Sequence, residues 1–274
     1  MLPAPPPALI AAAPTPHTLT GDIRAHSLAG RTVLVRLPAG YDAPRNRTRR
    51  YPVLYLQDGQ NVFDGATAFI PGAEWRADET AAELEARGEI TPLIIVAVYN
   101  AGGDRLREYT PVPDAKYGGG GADEYGAWLR DVGKAFVDRT YRTQKGAAHS
   151  AVGGSSLGAL LALHESLAHP DVWGGAAVLS PSVWWADKAI LREVRALPRR
   201  PAVRLYVSIG GTEDDSGAAL TGARDLREAL HQAGWRVGGD LFYAEAPGAK
   251  HNEAAWAARF GDVLRFLFPA APSP

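Results

Sequence analysis

Ser156 is the side chain of this 274-residue sequence whose surroundings most clearly suit it to chemistry. It is the middle residue of Gly154-Ser155-Ser156-Leu157-Gly158, a G-x-S-x-G pattern. A serine hydroxyl is a weak nucleophile at neutral pH and needs a base within hydrogen-bond reach. Imidazole is the base whose ordinary pKa suits that task. A carboxylate on the second ring nitrogen fixes the tautomer and stabilises the imidazolium that forms. Of the seven histidines, His251 alone follows a strand-like run late in the chain, after Pro247-Gly248-Ala249-Lys250. His17, His26, His149, His164, His169 and His231 fall in the N-terminal region, at a strand start or on helical stretches, where structural roles are expected. The acid has more than one candidate. Glu213, Asp214 and Asp215 follow the strand-like Val203–Ile209 and its Gly210-Gly211 turn. Glu213 and Asp214 are adjacent and so point different ways; Asp214 is the expected partner, with Glu213 as the alternative.

These residues need elements that bring them together. His149–Val152 reads as a strand and Leu157–Ala168 as a helix, so Ser156 falls on a strand-to-helix turn, the setting of a nucleophile elbow. Side chains at Gly154 and Gly158 would collide with the neighbouring strand and helix. The nucleophile–acid–histidine order along the chain is that of α/β-hydrolases. Each candidate lies just past the C-terminal end of a predicted strand, and in a parallel sheet those ends share one edge.

The rest of the chain has the alternation such a sheet needs. Ile23–Leu28 and Arg31–Leu37 read as antiparallel strands joined at Ala29-Gly30. Asp42–Arg50 is a polar, basic loop. Pro52–Leu56, Leu93–Val98, Ala176–Leu179, Val203–Ile209 and Leu241–Ala244 read as strands. Trp75–Arg87, Asp123–Asp138, Ala218–Ala233 and Glu253–Phe268 have helical spacing. Strand and helix in alternation argue for an α/β fold, a mostly parallel central sheet with helices on both faces. Gly118–Gly121 is a flexible linker between elements.

An acyl-transfer site must also hold the negative oxygen of a tetrahedral intermediate, and backbone N–H groups do this well because they are preorganised. The N–H of Leu157 is one expected donor. The other is expected from the loop after Pro52–Leu56, where Asp58-Gly59-Gln60-Asn61 offers the N–H of Gln60 and Asp58 a substrate contact. Trp184 and Trp185 follow a Ser-Pro-Ser turn on the same edge, and either wall a substrate pocket or seal the core. Arg107-Glu108-Tyr109 reads as a structural ion pair near the site, and Trp75, Trp128, Trp173, Trp235 and Trp256 as packing residues.

With these motifs placed, the chain resembles the putative-esterase family of α/β-hydrolases, which includes enterochelin-esterase-like, feruloyl-esterase-like and S-formylglutathione-hydrolase-like enzymes and mycolyltransferases. The similarity runs from about Arg31 to Phe268. It is carried by the segments Tyr51–Asp64, Arg107–Pro111, Tyr141–Thr143, Gly154–Gly158, Leu179–Trp185, Gly211–Asp214 and His251–Trp256 taken together. The resemblance implies Ser156 as nucleophile, His251 as base, and Asp214, fourth in the Gly-Thr-x-acid segment, as the acid. Ala159 stands where many relatives have glycine.

Composition bounds the rest. The length suits one α/β domain over residues 21–270. A net charge of −1 gives no reason to expect a nucleic acid or an anionic membrane as partner. With no cysteine, disulfides, thiol catalysis and cysteine-ligated zinc are excluded. No apolar run approaches the roughly 20 residues of a membrane-spanning helix. The Pro/Ala-rich residues 1–20 read as a flexible or surface-hugging leader rather than a secretory signal, and a cytoplasmic location is expected. Gly153–Gly158 does not satisfy G-x-G-x-x-G, which argues against a dinucleotide site. The expectation is a serine carboxylester hydrolase acting on small soluble esters with no metal or organic cofactor. An acyltransferase on the same triad and a non-catalytic binding module are the alternatives. Oligomeric state is not legible in the sequence.

Overall fold

The computed structural model describes residues 14–270. Among the described residues there are ten strands: β1 (Asp22–Leu28), β2 (Arg31–Leu37), β3 (Val53–Gln57), β4 (Ile94–Val98), β5 (Pro113–Asp114), β6 (Gly118–Gly119), β7 (Ser150–Ser155), β8 (Gly175–Leu179), β9 (Arg204–Gly210) and β10 (Leu241–Ala246). Eight of them form one sheet in the order β1-β2-β4-β3-β7-β8-β9-β10. From β4 across to β10 every pairing is parallel, whereas β2 is antiparallel to both β1 and β4. The β1–β2 hairpin closes at Ala29-Gly30, both with positive φ (49° and 82°). Such a two-residue turn matches the twist of the flanking strands.

Among the described residues eight α-helices accompany the sheet: α1 (Ala77–Ala86), α2 (Arg105–Glu108), α3 (Ala122–Trp128), α4 (Ala135–Thr140), α5 (Leu157–Ala168), α6 (Trp185–Arg195), α7 (Ala218–Gln232) and α8 (Glu253–Leu267). The central strands are apolar on both faces because both are covered. In β3, Val53 and Tyr55 join one core cluster, with residues of α5, α6 and α7. Leu54 and Leu56 join the other, with residues of α1 and α8. Successive side chains of a strand point to opposite faces, so an unbroken apolar run is what a doubly covered strand requires. The architecture is the α/β-hydrolase fold. Among the described residues no helix is long and apolar enough to cross a membrane.

The structure departs from the sequence expectations at the helix over 123–138, at α6 and at Gly118–Gly121. The helix expected over 123–138 is α3 and α4 joined through a π-helical turn, Leu129–Lys134. That turn carries Arg130, whose Nη1 reaches both oxygens of the buried Glu165 on α5 at 2.7 and 2.6 Å. Helix α6 was not expected; it opens through Ala186, Asp187 and Lys188 in left-handed geometry, which masks its helical start. The Gly118–Gly121 segment is no plain linker, since β6 pairs with β5. Gly119 has φ of 92°, and a Cβ there would come within 2.9 Å of the Trp185 ring. Of the expected leader, residues 1–13 lie outside the described residues. His17, Thr18 and Thr20 are bonded to Asp64, Glu74 and Asp78.

Candidate active site

Strand β7 ends at Ser155 and α5 begins at Leu157, so Ser156 alone makes the turn between them. Its backbone has φ 57° and ψ −121°, a region costly to any residue with a Cβ. The neighbouring glycines make the turn possible. A Cβ on Gly154 would lie 2.7 Å from the carbonyl carbon of Gly158, and one on Gly158 would press on Gln57 and Asp58 at 3.3 and 3.4 Å. The positive end of the α5 dipole therefore falls at Ser156. The Ser156 hydroxyl meets Ser182 Oγ at 3.3 Å.

His251 and Ser156 border two cavities in common. One, of about 340 Å³, is lined also by Asp58, Gln60, Phe69, Arg105 and Trp256. The other, of about 520 Å³, is lined also by Ser182, Trp184 and Glu213. His251 Nδ1 is 2.8 Å from Glu213 Oε2, and the His251 ring meets the Trp256 ring edge-on at a centroid distance of 5.1 Å. Only 1% of the Glu213 side chain is exposed. Its second oxygen accepts from Gly210 N at 2.6 Å and from the Ser180 hydroxyl. Ser180 Oγ in turn accepts from Trp256 Nε1 (2.9 Å) and from Arg259 Nη2 (3.1 Å). Arg259 Nη2 lies 3.8 Å from Glu213 Oε1. Burial lowers the Arg259 pKa, opposed by the attraction of Glu213.

The carboxylate on His251 is thus Glu213 and not Asp214. The physical reason is local. Gly210 leaves room for the longer Glu213 side chain to fold back over the end of β9; a Cβ on Gly210 would lie 2.8 Å from Glu213 Cγ. Asp214 is instead taken up by α7, accepting from Ser216 Oγ (2.6 Å), Ala218 N (3.0 Å) and Ala219 N (2.7 Å). Those bonds, led by the one from Ser216, pull its pKa down to about 2. A signal for this was present in the sequence: an acid and a serine just before a helical run form a helix-start pattern.

Of the two expected oxyanion donors, Leu157 follows Ser156 in the chain and Gln60 lines the smaller cavity with it. Leu157 N is the first N–H of α5, and neither it nor Gln60 N donates to another group among the described residues. Gln60 lies in a 3-10 turn, Gly59–Asn61, directly after Asp58, which has φ of 55°. Asp58 lines the smaller cavity, but both its oxygens are bound by Arg105 (2.6 and 2.8 Å) and one also by Asn100 Nδ2 (2.7 Å). Its N–H donates to Tyr109 Oη at 3.1 Å. Within Arg107-Glu108-Tyr109 the expected ion pair is absent among the described residues. Arg107 pairs with Glu124, and Glu108 pairs with Arg31.

The two tryptophans divide the roles considered for them. Trp185 is buried, with Nε1 donating to Val112 O at 2.7 Å, and seals the core. Trp184 is 54% exposed, lines the larger cavity and meets the Tyr117 ring edge-on at 5.9 Å. Trp256, expected as packing alone, also walls the smaller cavity. Phe69, Arg105 and Arg259 carried no signal in the sequence, because isolated residues of these types are ordinary at any loop or helix; Ser180 and Ser182 lay within the marked Leu179–Trp185 segment but were assigned no role.

A sheet of this order with a serine turn at the end of its central strand is the arrangement of α/β-hydrolases. The chain belongs to the putative esterase family, whose model matches residues 29–267. It is 22% identical to the uncharacterized protein YbbA of Bacillus subtilis over 261 residues, covering 91% of this chain and 97% of that one. It is 32% identical to the siderophore triacetylfusarinine C esterase of Aspergillus fumigatus over 153 residues, 53% of this chain and 49% of that protein. The crystal structure of an IroE-like serine hydrolase from Shewanella oneidensis matches with a TM-score of 0.70 at 19% identity, covering 90% of this chain and 80% of that one. The protein is an esterase.

Proposed function

We propose that the protein is a serine carboxylester hydrolase that acts on small soluble esters through an acyl-enzyme, with Ser156, His251 and Glu213 as its triad. The observation that carries this reading is the bond from His251 Nδ1 to the buried Glu213 carboxylate, on a ring that shares both cavity walls with Ser156. With Nδ1–H given to the carboxylate, Nε2 keeps the lone pair that a base needs.

The steps follow from those positions. The Ser156 hydroxyl turns from Ser182 to His251, a tightening that ligand-free sites commonly require. Ser156 Oγ attacks the ester carbonyl carbon as its proton passes to His251 Nε2. The carbonyl oxygen, now negative, takes the N–H groups of Leu157 and Gln60; loss of one such donor costs about 3 kcal/mol of barrier. Collapse expels the alcohol, which leaves with the proton from His251. Water then gives a proton to the same nitrogen and attacks the acyl carbonyl, releasing the acid and restoring Ser156. Both cavities open on Ser156, so one half of the ester can lie beside Trp184 and the other beside Phe69 and Trp256.

The test is Ser156→Ala. Turnover of 4-nitrophenyl acetate is expected to fall roughly 10⁴-fold or more, and labelling by a fluorophosphonate probe is expected to vanish, with the circular dichroism spectrum unchanged. Retained turnover or labelling overturns the assignment. Product analysis in the presence of an added alcohol distinguishes release of free acid, as proposed, from acyl transfer.

A further inference from the structure

The wall of the smaller cavity is held from outside by a short strap at the start of the described chain. The connection from β3 to α1 supplies Gln60, Asn61 and Phe69 to that wall. Three acids along the connection and the start of α1, Asp64, Glu74 and Asp78, are buried. Each of the three gives at least one oxygen to a strap residue. His17 Nδ1 lies 2.6 Å from Asp64 Oδ2, and Thr18 N donates to Asp64 Oδ1 at 3.2 Å. Thr20 donates to Asp78 Oδ2 through its N–H and its hydroxyl, at 2.7 and 2.9 Å. Thr18 Oγ1 has two partners at once: it donates to Glu74 Oε1 at 2.5 Å and accepts from Gly65 N at 2.8 Å. One hydroxyl therefore ties the two ends of the Gly65–Glu74 stretch together.

From that clip a continuous series of bonds leads to the site. Asp64 Oδ1 accepts from Ala66 N, and Asp64 O accepts from Thr67 N and Ala68 N. Thr67 Oγ1 donates to Gln60 O at 2.9 Å. Phe69 N donates to Asn61 Oδ1 at 2.8 Å. Gly72 N closes the loop onto Gly65 O at 2.8 Å. Phe69 itself is 83% exposed, so its ring has little packing of its own to hold it at the cavity. Its place is set by the backbone beneath it, and that backbone is set by the clip.

We propose that Thr18 is a positioning residue for substrate recognition: by bridging Glu74 and Gly65 it fixes the loop that presents Phe69 to one half of the ester. This rests on the reading of Ser156 as the nucleophile above. Thr18 touches no reacting atom. Its hydroxyl shapes the Michaelis complex of esters large enough to reach Phe69, and has little to act on for an ester too small to do so. A misplacement of a positioning group by a fraction of an ångström to an ångström is enough to change rates by one to two orders of magnitude.

The experiment measures KM and kcat for 4-nitrophenyl acetate, 4-nitrophenyl benzoate and 2-naphthyl acetate with wild type, Thr18→Val, Thr18→Ser, Phe69→Ala and the Thr18→Val/Phe69→Ala double variant. Phe69→Ala identifies the ester whose larger half meets the loop. For that ester Thr18→Val is expected to raise KM roughly five- to tenfold with kcat changed less than about twofold. Thr18→Ser, which keeps the hydroxyl, is expected to restore the wild-type KM. The double variant is expected to be no worse than Phe69→Ala alone, because both changes act on one contact. A Thr18→Val protein that melts earlier but keeps its wild-type KM overturns the proposal. So does a full KM effect of Thr18→Val in the Phe69→Ala background, or the absence of any Phe69-sensitive ester. Since Phe69 is exposed, Phe69→Ala is expected to leave the fold intact, so the absence of a Phe69-sensitive ester overturns the proposal even if Thr18→Val does not fold. Failure of the triad reading shows separately, as wild-type turnover that survives Ser156→Ala.

Discussion

Glu213 and Asp214 are neighbours in sequence with unlike surroundings. Glu213 is enclosed, with one oxygen on His251 and the other on Gly210 N and Ser180. Asp214 is at the surface, spent on the first turn of α7. Glu213→Gln keeps the shape and removes the charge that an imidazolium would need, so kcat/KM for 4-nitrophenyl acetate is expected to drop by about 10²- to 10⁴-fold. Asp214→Asn is expected to leave kcat/KM within about threefold, since its oxygens are held by Ser216 and the first N–H groups of α7 and not by His251, while the thermal midpoint falls with the lost charge at a helix start. The reverse order of effects on activity would return the acid role to Asp214. Behind Glu213 stands Ser180, which is buried and has φ of 51°. Ser180→Ala leaves Trp256 Nε1 and Arg259 Nη2 without their shared acceptor, and a buried unpaired donor costs about 1–3 kcal/mol. A lower denaturation midpoint and a roughly tenfold lower kcat, with Ser180→Gly no better, are the expected readings.

At the scale of elements the site is a set of strand ends on one edge. β7 delivers Ser156, β9 delivers Glu213 and the loop after β10 delivers His251, all by parallel neighbours with a common direction. The elbow is the least tolerant of these joints. Gly154→Ala places a methyl group within 3.0 Å of three Gly158 backbone atoms. Overpacking of this kind costs about 1–3 kcal/mol, and here the atoms that must move are those of the nucleophile turn. A lower urea midpoint together with slowed fluorophosphonate labelling is expected; a shifted midpoint with unchanged labelling would show that the turn is not strained by α5. This level was largely legible in the sequence, because strands covered on both faces appear as unbroken apolar runs such as Leu93–Val98, and because glycine at 154 and 158 has a steric meaning. Three features were not legible. Helix α6 begins with a left-handed turn in which Ala186 and Lys188 flank Asp187, and neither flanking type signals such a turn. The carboxylate that meets His251 lies one residue before the one expected, because spacing alone does not say that Gly210 lets a longer side chain fold back. The strap was hidden because its threonines and the acids that hold them are 46 to 58 residues apart in the chain.

For the whole molecule, the ionisable groups with displaced pKa values combine into one prediction about stability and pH. Burial and the neighbouring Glu79 carboxyl push Asp78 up to about 7, against the bonds from Thr20. The folded protein then holds a proton on Asp78 that the unfolded chain releases near pH 4, so stability falls as pH rises from about 4 to 7. His164 sits between Glu193 on α6 and Asp123 on α3, at 2.9 Å from each. Burial lowers its pKa, but these two carboxylates, Glu193 foremost, outweigh burial and raise it to about 9. Its contribution is complete below pH 6.5 and is lost as pH rises through 9. On the acid side, Asp214 and Glu245 are each held down to about 2 by hydrogen bonds, from Ser216 and Arg224 respectively, and their contribution is lost progressively as pH falls from about 4 through that value. The thermal midpoint is therefore expected to peak on the acid side of neutrality and to decline steadily from about pH 6 to 9. Scanning calorimetry across that range checks the sign. His164→Gln is expected to cost about 1–2 kcal/mol at pH 6, a value reduced for the exposure of Asp123, and to flatten the curve between pH 7 and 9. Asp78→Asn is expected to flatten it below pH 7 while keeping an oxygen for Thr20. A midpoint that rises from pH 6 to 9 in the wild type would mean that neither group holds its proton in the folded protein as its neighbours dictate.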